Sequence, residues 1–125
     1  CKTYIIMQNL TQIGNQTFYH VLSSEIENLA IELDKTALII THELLSKNIS
    51  WIKKQLKTKV VEILVVGKMV NDFVPEIQER NVLLFAVNSF SEGIQLAVKS
   101  HRVVDNVICF CDDKSLIDFS NISEE

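Results

Sequence analysis

Glycine is scarce in this 125-residue sequence: Gly14, Gly67 and Gly93 are the only three, and they stand far apart. A phosphate cradle needs several glycines close together, so that backbone N–H groups can approach the anion. Neither a Walker loop nor a dinucleotide-binding fingerprint is present. Cysteine is equally sparse and odd in number, at Cys1, Cys109 and Cys111. That usage makes no disulfide framework and fits a reducing compartment, which points to the cytoplasm. Positive charge is not in surplus either, with 12 Lys and Arg against 16 Asp and Glu and a net charge of −4. A protein that grips phosphate backbones needs the opposite balance, so nucleic acid is excluded as the main partner. Long hydrophobic runs are missing as well. The longest, such as Ile63 to Val66, are strand-length and far below the roughly 18 residues of a membrane-spanning helix, which excludes the membrane.

What is present is ordinary globular material, 47% apolar and 22% charged. No internal repeat, low-complexity tract or linker divides it, so residues 1–125 read as one α/β domain. Because the first residue is Cys1 and not Met, the domain reads as a piece of a longer chain. A mature lipoprotein would also begin with Cys, but no polar linker follows. The expected partners are other domains of that longer chain or a separate protein.

Four short runs rich in β-branched residues read as buried strands: Ala37 to Thr41, Val61 to Val66, Val82 to Val87 and Val107 to Cys111. They are apolar at nearly every position, as a sheet covered by helices on both faces requires. Their spacing leaves room for one crossover helix each. The pattern predicts a three-layer, Rossmann-like domain with a mainly parallel sheet of about five or six strands. Thr3 to Met7 and Thr17 to Val21 supply the further strands, joined by a turn across Asn9 to Gln16. Capping boxes at Ser24/Glu27 and Ser89/Glu92 predict helices carrying Ile26, Leu29, Ala30 and Leu33 on one stripe and Phe90, Ile94, Ala97, Val98 and His101 on another. Asn48 is expected to cap a helix through Ile49, Ile52 and Leu56, with Lys53, Lys54 and Lys57 facing water. Pro75 fits the first turn of a helix from Val74 to Arg80.

In an open parallel sheet, ligands bind outside the carboxyl ends of the strands. Those ends hold Thr41-His42-Glu43, Gly67-Lys68, Asn88-Ser89 and Cys111-Asp112-Asp113-Lys114. Lys68 could bring one positive charge to an anion beside Gly67, though a glycine ending a strand next to a solvated lysine is the plainer reading. His42 borders Glu43 and could act as acid or base, but no serine or cysteine nucleophile motif stands near it. Asp112 and Asp113 could gather Mg²⁺ or split their pKa values. The plainer reading has Asp113 capping a turn at Ser115. A phosphoacceptor receiver domain needs an Asp in mid-sheet that this chain lacks. Cys109 and Cys111 face the same side of a strand and could suggest a redox or metal pair. A zinc site would need two more ligands, and His20, His42 and His101 show no ligand spacing, so no metal is expected and the cysteines read as core residues.

The order of segments from about Thr11 to Glu125 resembles the C-terminal domain of the Mur ligases, the ATP-dependent enzymes that add amino acids to the peptidoglycan precursor. The D-alanyl-D-alanine-adding branch is the most similar. The resemblance rests on Ala37-Leu38-Ile39-Ile40-Thr41, Val61-Glu62-Ile63-Leu64-Val65-Val66-Gly67, the helix of Phe90 to Val98, and Asn106-Val107-Ile108-Cys109-Phe110-Cys111 ahead of Lys114-Ser115. It implies a nucleotide- or substrate-facing wall that is not catalytic alone, with ATP and Mg²⁺ supplied mainly by another domain. The ligand-facing candidates are then Tyr19, His20, His42, Lys68, Asp112 and Lys114, and no catalytic residue is assigned. Where that family carries a Lys-Gly-Ser/Ala-Arg loop, this chain has Asp112-Asp113-Lys114-Ser115, which weakens the attraction for phosphate. The competing reading is a non-catalytic Rossmann-like interaction or regulatory module. A small hydrolase or transferase using His42 and the Asp112-Asp113 pair ranks behind both.

Overall fold

A computed structural model describes residues 7–56, 59–68, 75, 81–120 and 122. The fold is α/β, with a six-stranded sheet in the order β1-β2-β6-β3-β4-β5. The strands are β1 (Gln8–Ile13), β2 (Gln16–Val21), β3 (Thr36–Thr41), β4 (Val60–Val66), β5 (Leu83–Val87) and β6 (Asn106–Phe110). All neighbouring pairs are parallel except β1–β2. The four apolar runs of the sequence therefore are strands, and they sit side by side.

The near-continuous apolar character of β3, β4 and β6 follows from burial on both faces. Along β6, Ile108 and Phe110 join a cluster with Leu38, Ile40, Ile63 and Val65, while Val107 and Cys109 join Ala37, Ile39 and Leu64 in a second cluster. Side chains alternate across a strand, so the two clusters lie on opposite faces of the sheet. The first is covered by α1 (His42–Lys47) and α2 (Ile49–Gln55), through Leu45, Trp51 and Ile52. The second is covered by α3 (Phe90–Lys99), through Phe90, Ile94 and Ala97, and by Ile117 and Phe119 of the C-terminal segment. Gly93 lets α3 approach the sheet closely, since a Cβ there would lie 3.0 Å from the Ile39 side chain.

One expectation holds in detail and several need correction. Ser89 caps α3, its hydroxyl accepting from the Glu92 N–H at 3.1 Å. His101 is not on the α3 stripe but exposed in the turn beyond it. The expected turn over Asn9 to Gln16 is instead strand β1 and a two-residue connection, Gly14-Asn15, with Ile13 paired to Gln16. Gly14 has φ +57°, the conformation a tight hairpin asks of its first central residue. The strand expected at Thr3 to Met7 falls largely outside the described residues, and Met7 itself precedes β1. The Val74–Arg80 helix lies outside them too, apart from Pro75.

The helix expected after Ser24 does not form. A 3₁₀ turn runs over Ser23–Asn28 with no side-chain cap, and Leu29 is already extended at φ −95° and ψ +131°. Tertiary hydrogen bonds outcompete the local pattern here. The Trp51 indole N–H donates to the Leu29 carbonyl at 2.8 Å, and the Ile31 N–H donates to Gln55 Oε1 at 3.1 Å. Both partners belong to α2, and both would be lost if residues 29–31 were helical, because those backbone groups would then be spent within the helix. Asn48 stands at the start of α2, but its side chain donates back to the Leu44 carbonyl at 2.9 Å instead of capping.

Candidate functional site

The strand order reverses direction at β3 and β6. From β3 the chain moves outward through β4 to β5, and α3 then returns it to β6 on the other side of β3. The connections α1–α2 and α3 cover opposite faces, so the carboxyl ends of β3 and β6 open a crevice between them. This is the topological switch point where doubly wound sheets bind ligands. A cleft of about 360 Å³ lies there.

Its floor and walls are apolar, formed by Phe110 at the end of β6, Phe90 in the first turn of α3, Leu44 of α1, and Leu116. Its polar groups are Thr41 and Ser23 from the strand ends, three carboxylates (Glu43, Asp112 and Asp113) and one cation, Lys47. Two carboxylates are held in place. Asp112 Oδ1 accepts from the Ser23 N–H at 3.1 Å, and Asp113 Oδ1 accepts from the Ser115 N–H at 3.0 Å and the Ser115 hydroxyl at 2.6 Å. The Ser115 hydroxyl and N–H hold the Asp113 carboxyl below the usual aspartate range. Asp113 thereby caps the turn Lys114–Leu116, as the plainer sequence reading expects.

Cys111 also lines the cleft. Burial first, and then the neighbouring charges of Asp112 and Asp113, push its thiol up to about 11. Its Sγ lies 3.5 Å from the Asp113 carbonyl, which it reaches as a protonated donor. A neutral thiol is a poor nucleophile and a poor metal ligand. Cys109 is fully buried and still further from ionisation, with burial again the leading cause. Among the described residues, no group of three or more His, Cys, Asp or Glu side chains is placed to hold a metal ion.

Of the six ligand-facing candidates only Asp112 lines the cleft, while Thr41, Glu43, Cys111 and Asp113, also singled out at the strand ends, line it with Asp112. Lys114 belongs to the adjoining 3₁₀ turn and is exposed. His20 is buried in β2, and its Nε2 lies 2.8 Å from the Cys111 carbonyl. A carbonyl can only accept, so that nitrogen carries the proton and the ring is committed to fixing the strand end. Tyr19 packs with the opposite core cluster. His42 lies against Gly67 at the end of β4: a Cβ on Gly67, whose φ is +108°, would meet His42 Nδ1 at 2.6 Å. The space that glycine leaves open is therefore filled by imidazole. Lys68 follows it and is exposed. His42 is therefore turned to the end of β4, whereas Asp112 and Asp113 line the cleft with its chain neighbours Thr41 and Glu43.

ATP and Mg²⁺ do not fit the residues present. Three carboxylates outnumber one lysine around the cleft, and the strand-end glycine next in line is occupied by His42. A triphosphate placed there would meet like charge.

The sequence reading missed two things. The apolar lining was hidden because Leu44, Phe90, Phe110 and Leu116 come from four separate segments. The second is Glu62, a fully buried carboxyl at the far end of the sheet, inside a strand read as uniformly apolar. The β3–β4 register shifts so that Thr36 pairs with Val60 but Ala37 with Glu62, and the extra residue turns Glu62 toward the face under α3. There Glu62 Oε2 lies 3.0 Å from the Ser100 hydroxyl, and Oε1 has no partner. Burial raises the pKa of this carboxyl, with the Ser100 contact working the other way. The Ser100 hydroxyl also lies 3.2 Å from the Leu96 carbonyl and has one proton to give. That single proton is therefore shared between Glu62 Oε2 and the Leu96 carbonyl. The signal was one acid among six apolar residues of β4.

No helix among the described residues is long and apolar enough to cross a membrane. No protein-family model matches the chain, and no curated protein matches it at a significant level, so any functional reading rests on the cleft itself.

Proposed function

We propose that this chain is a non-catalytic module of Rossmann-like architecture that binds a partner at the cleft beyond β3 and β6. The observation that carries the reading is the composition of that cleft. Its apolar floor can bury a ligand, while its polar groups are three carboxylates, a lysine, two hydroxyls and a protonated thiol. Nothing in that set activates a nucleophile or cradles a phosphate. Binding is what an apolar depression with a few fixed polar groups does without further chemistry.

The second reading is the Mur-ligase-like C-terminal domain, a wall closing over nucleotide or substrate supplied by another domain. The order of its strands and helices supports it, as does a cleft at the carboxyl ends of parallel strands. The acidic lining weighs against it.

Thermal unfolding with and without millimolar ATP–Mg²⁺, and with a muramoyl-peptide precursor, separates the two. The module reading expects an unchanged midpoint. A stabilisation of a few kcal/mol, as ligand at many times its Kd produces, overturns it in favour of the ligase wall.

A further inference from the structure

We infer that the switch-point cleft receives a basic, amphipathic segment of a partner protein, with an apolar side chain seated on Leu44 and Leu116 and lysine or arginine side chains against the acidic rim. This deepens the module reading and rests on it.

The apolar surface comes first. Phe90 and Phe110 are buried and back the cleft, Leu44 is half-buried in its wall, and the apolar surface continues into water: Leu116 on its rim is 53% exposed, and Leu22, next to the lining residue Ser23, is 45% exposed. Exposed leucines flanking a concave apolar floor mark a surface that a partner covers. They also extend the apolar area beyond a cleft of about 360 Å³, which is itself at the small end for ligand pockets. A compact amine would fill the cleft and leave both leucines wet. An amphipathic peptide segment reaches them.

Charge selects the kind of segment. Glu43, Asp112 and Asp113 line the cleft, and Lys47 is the one cation among its lining residues. Asp112 and Asp113 are pinned by Ser23 and Ser115, so little side-chain freedom is lost when a cation meets them. Asp113 stays ionised below the ordinary aspartate range, so the rim is anionic at any physiological pH. An acidic segment would be repelled, and a neutral one would leave these charges partly desolvated without a counter-charge.

The fold provides its own reporter. Trp51, the only tryptophan, meets Phe110 edge to face behind the cleft with ring centroids 5.8 Å apart, so its fluorescence reports a change in the packing that backs the cleft. The test titrates the full chain with two short synthetic peptides of equal leucine content, one carrying lysines and the other glutamates, and with hexylamine. Trp51 fluorescence and backbone amide shifts are followed. The lysine peptide is expected to bind at least roughly tenfold tighter than either competitor, and to weaken between about 50 and about 500 mM salt as screened charges should. The double variant Glu43→Gln/Asp112→Asn keeps the Asp112 acceptor and is expected to abolish most of that preference. Leu116→Asn, at a half-exposed position, should weaken the lysine peptide without changing its preference over the glutamate one. Equal binding of the two peptides, hexylamine binding as tightly as the peptide, or no binding by any of them overturns the inference. None of these outcomes touches the module reading, which falls only if ATP–Mg²⁺ or the muramoyl peptide stabilises the fold.

Discussion

Replacing Glu62 with methionine should make the protein more stable at neutral pH. Glu62 is fully buried in β4, with one oxygen near Ser100 and the other without a partner. A buried polar atom left unpaired costs about 1–3 kcal/mol. Methionine has a similar length and shape and removes that atom, while Ser100 keeps the Leu96 carbonyl as its acceptor. Glu62→Met should therefore gain about 1–3 kcal/mol, or roughly 3–10 °C in Tm for a chain of this size. The pH dependence follows from linkage. Burial raises the folded-state pKa above the unfolded value of 4.5, so the folded protein holds a proton that the unfolded chain releases. Stability from this group is fully present below that value and is lost as pH rises through the folded pKa. Urea unfolding of both proteins between about pH 4.5 and pH 8 should give a difference curve that widens with pH in favour of the variant. A variant destabilised by more than about 1 kcal/mol at pH 8, or two parallel curves, would refute the reasoning.

Alkylation should spare the buried thiols. With the Cys111 thiol pushed to about 11, roughly one in a thousand is ionised at pH 8, so mass spectrometry of iodoacetamide-treated native protein should find Cys111 and Cys109 unlabelled until denaturant is added. Fast labelling of folded Cys111 would contradict the environment described. Gly67→Ala should destabilise by about 1–3 kcal/mol from its backbone conformation at φ +108° alone, and by more because the new Cβ meets His42. Adding His42→Ala should recover the steric part and leave the backbone part, a coupling a double-mutant cycle measures directly. Strict additivity would show that the imidazole does not occupy that space.

The sheet was legible because its strands are long apolar runs whose burial on both faces leaves a simple trace in composition. α3 was legible because Ser89 and Glu92 act locally, within one turn of the chain. What lay beyond reach depended on distant groups. The pattern after Ser24 is a sound helix signal, yet the Leu29 carbonyl and the Ile31 N–H are claimed by Trp51 and Gln55, more than twenty residues away. The helix α1 was read as loop because Thr41 looked like a strand end. It is also an N-cap, its hydroxyl accepting from the Leu44 N–H at 3.2 Å. Placing candidates at strand ends was sound, but which ends converge depends on strand order, and β6 between β2 and β3 is not deducible from spacing. Hence Asp112 was found, while Phe90 and Leu44 were not. His20 and His42 looked chemical because histidine often is. Here one ring holds a carbonyl and the other fills the gap beside a glycine.

The place of β6 also bears on how the chain is made. It is the last of these six strands to leave the ribosome, yet it sits in the interior of the sheet and bonds β2 on one side and β3 on the other. Until Asn106–Phe110 emerges, the β1–β2 hairpin and the β3–β4–β5 unit have no strand to join them. Each then presents an unpaired parallel edge lined with apolar side chains, such as Phe18 and Val21 on β2 and Leu38 and Ile39 on β3. Such edges are templates for pairing with another nascent chain. A premature stop after β5 and before residue 106 should thus yield not a shorter version of this protein but two half-sheets competing for strangers.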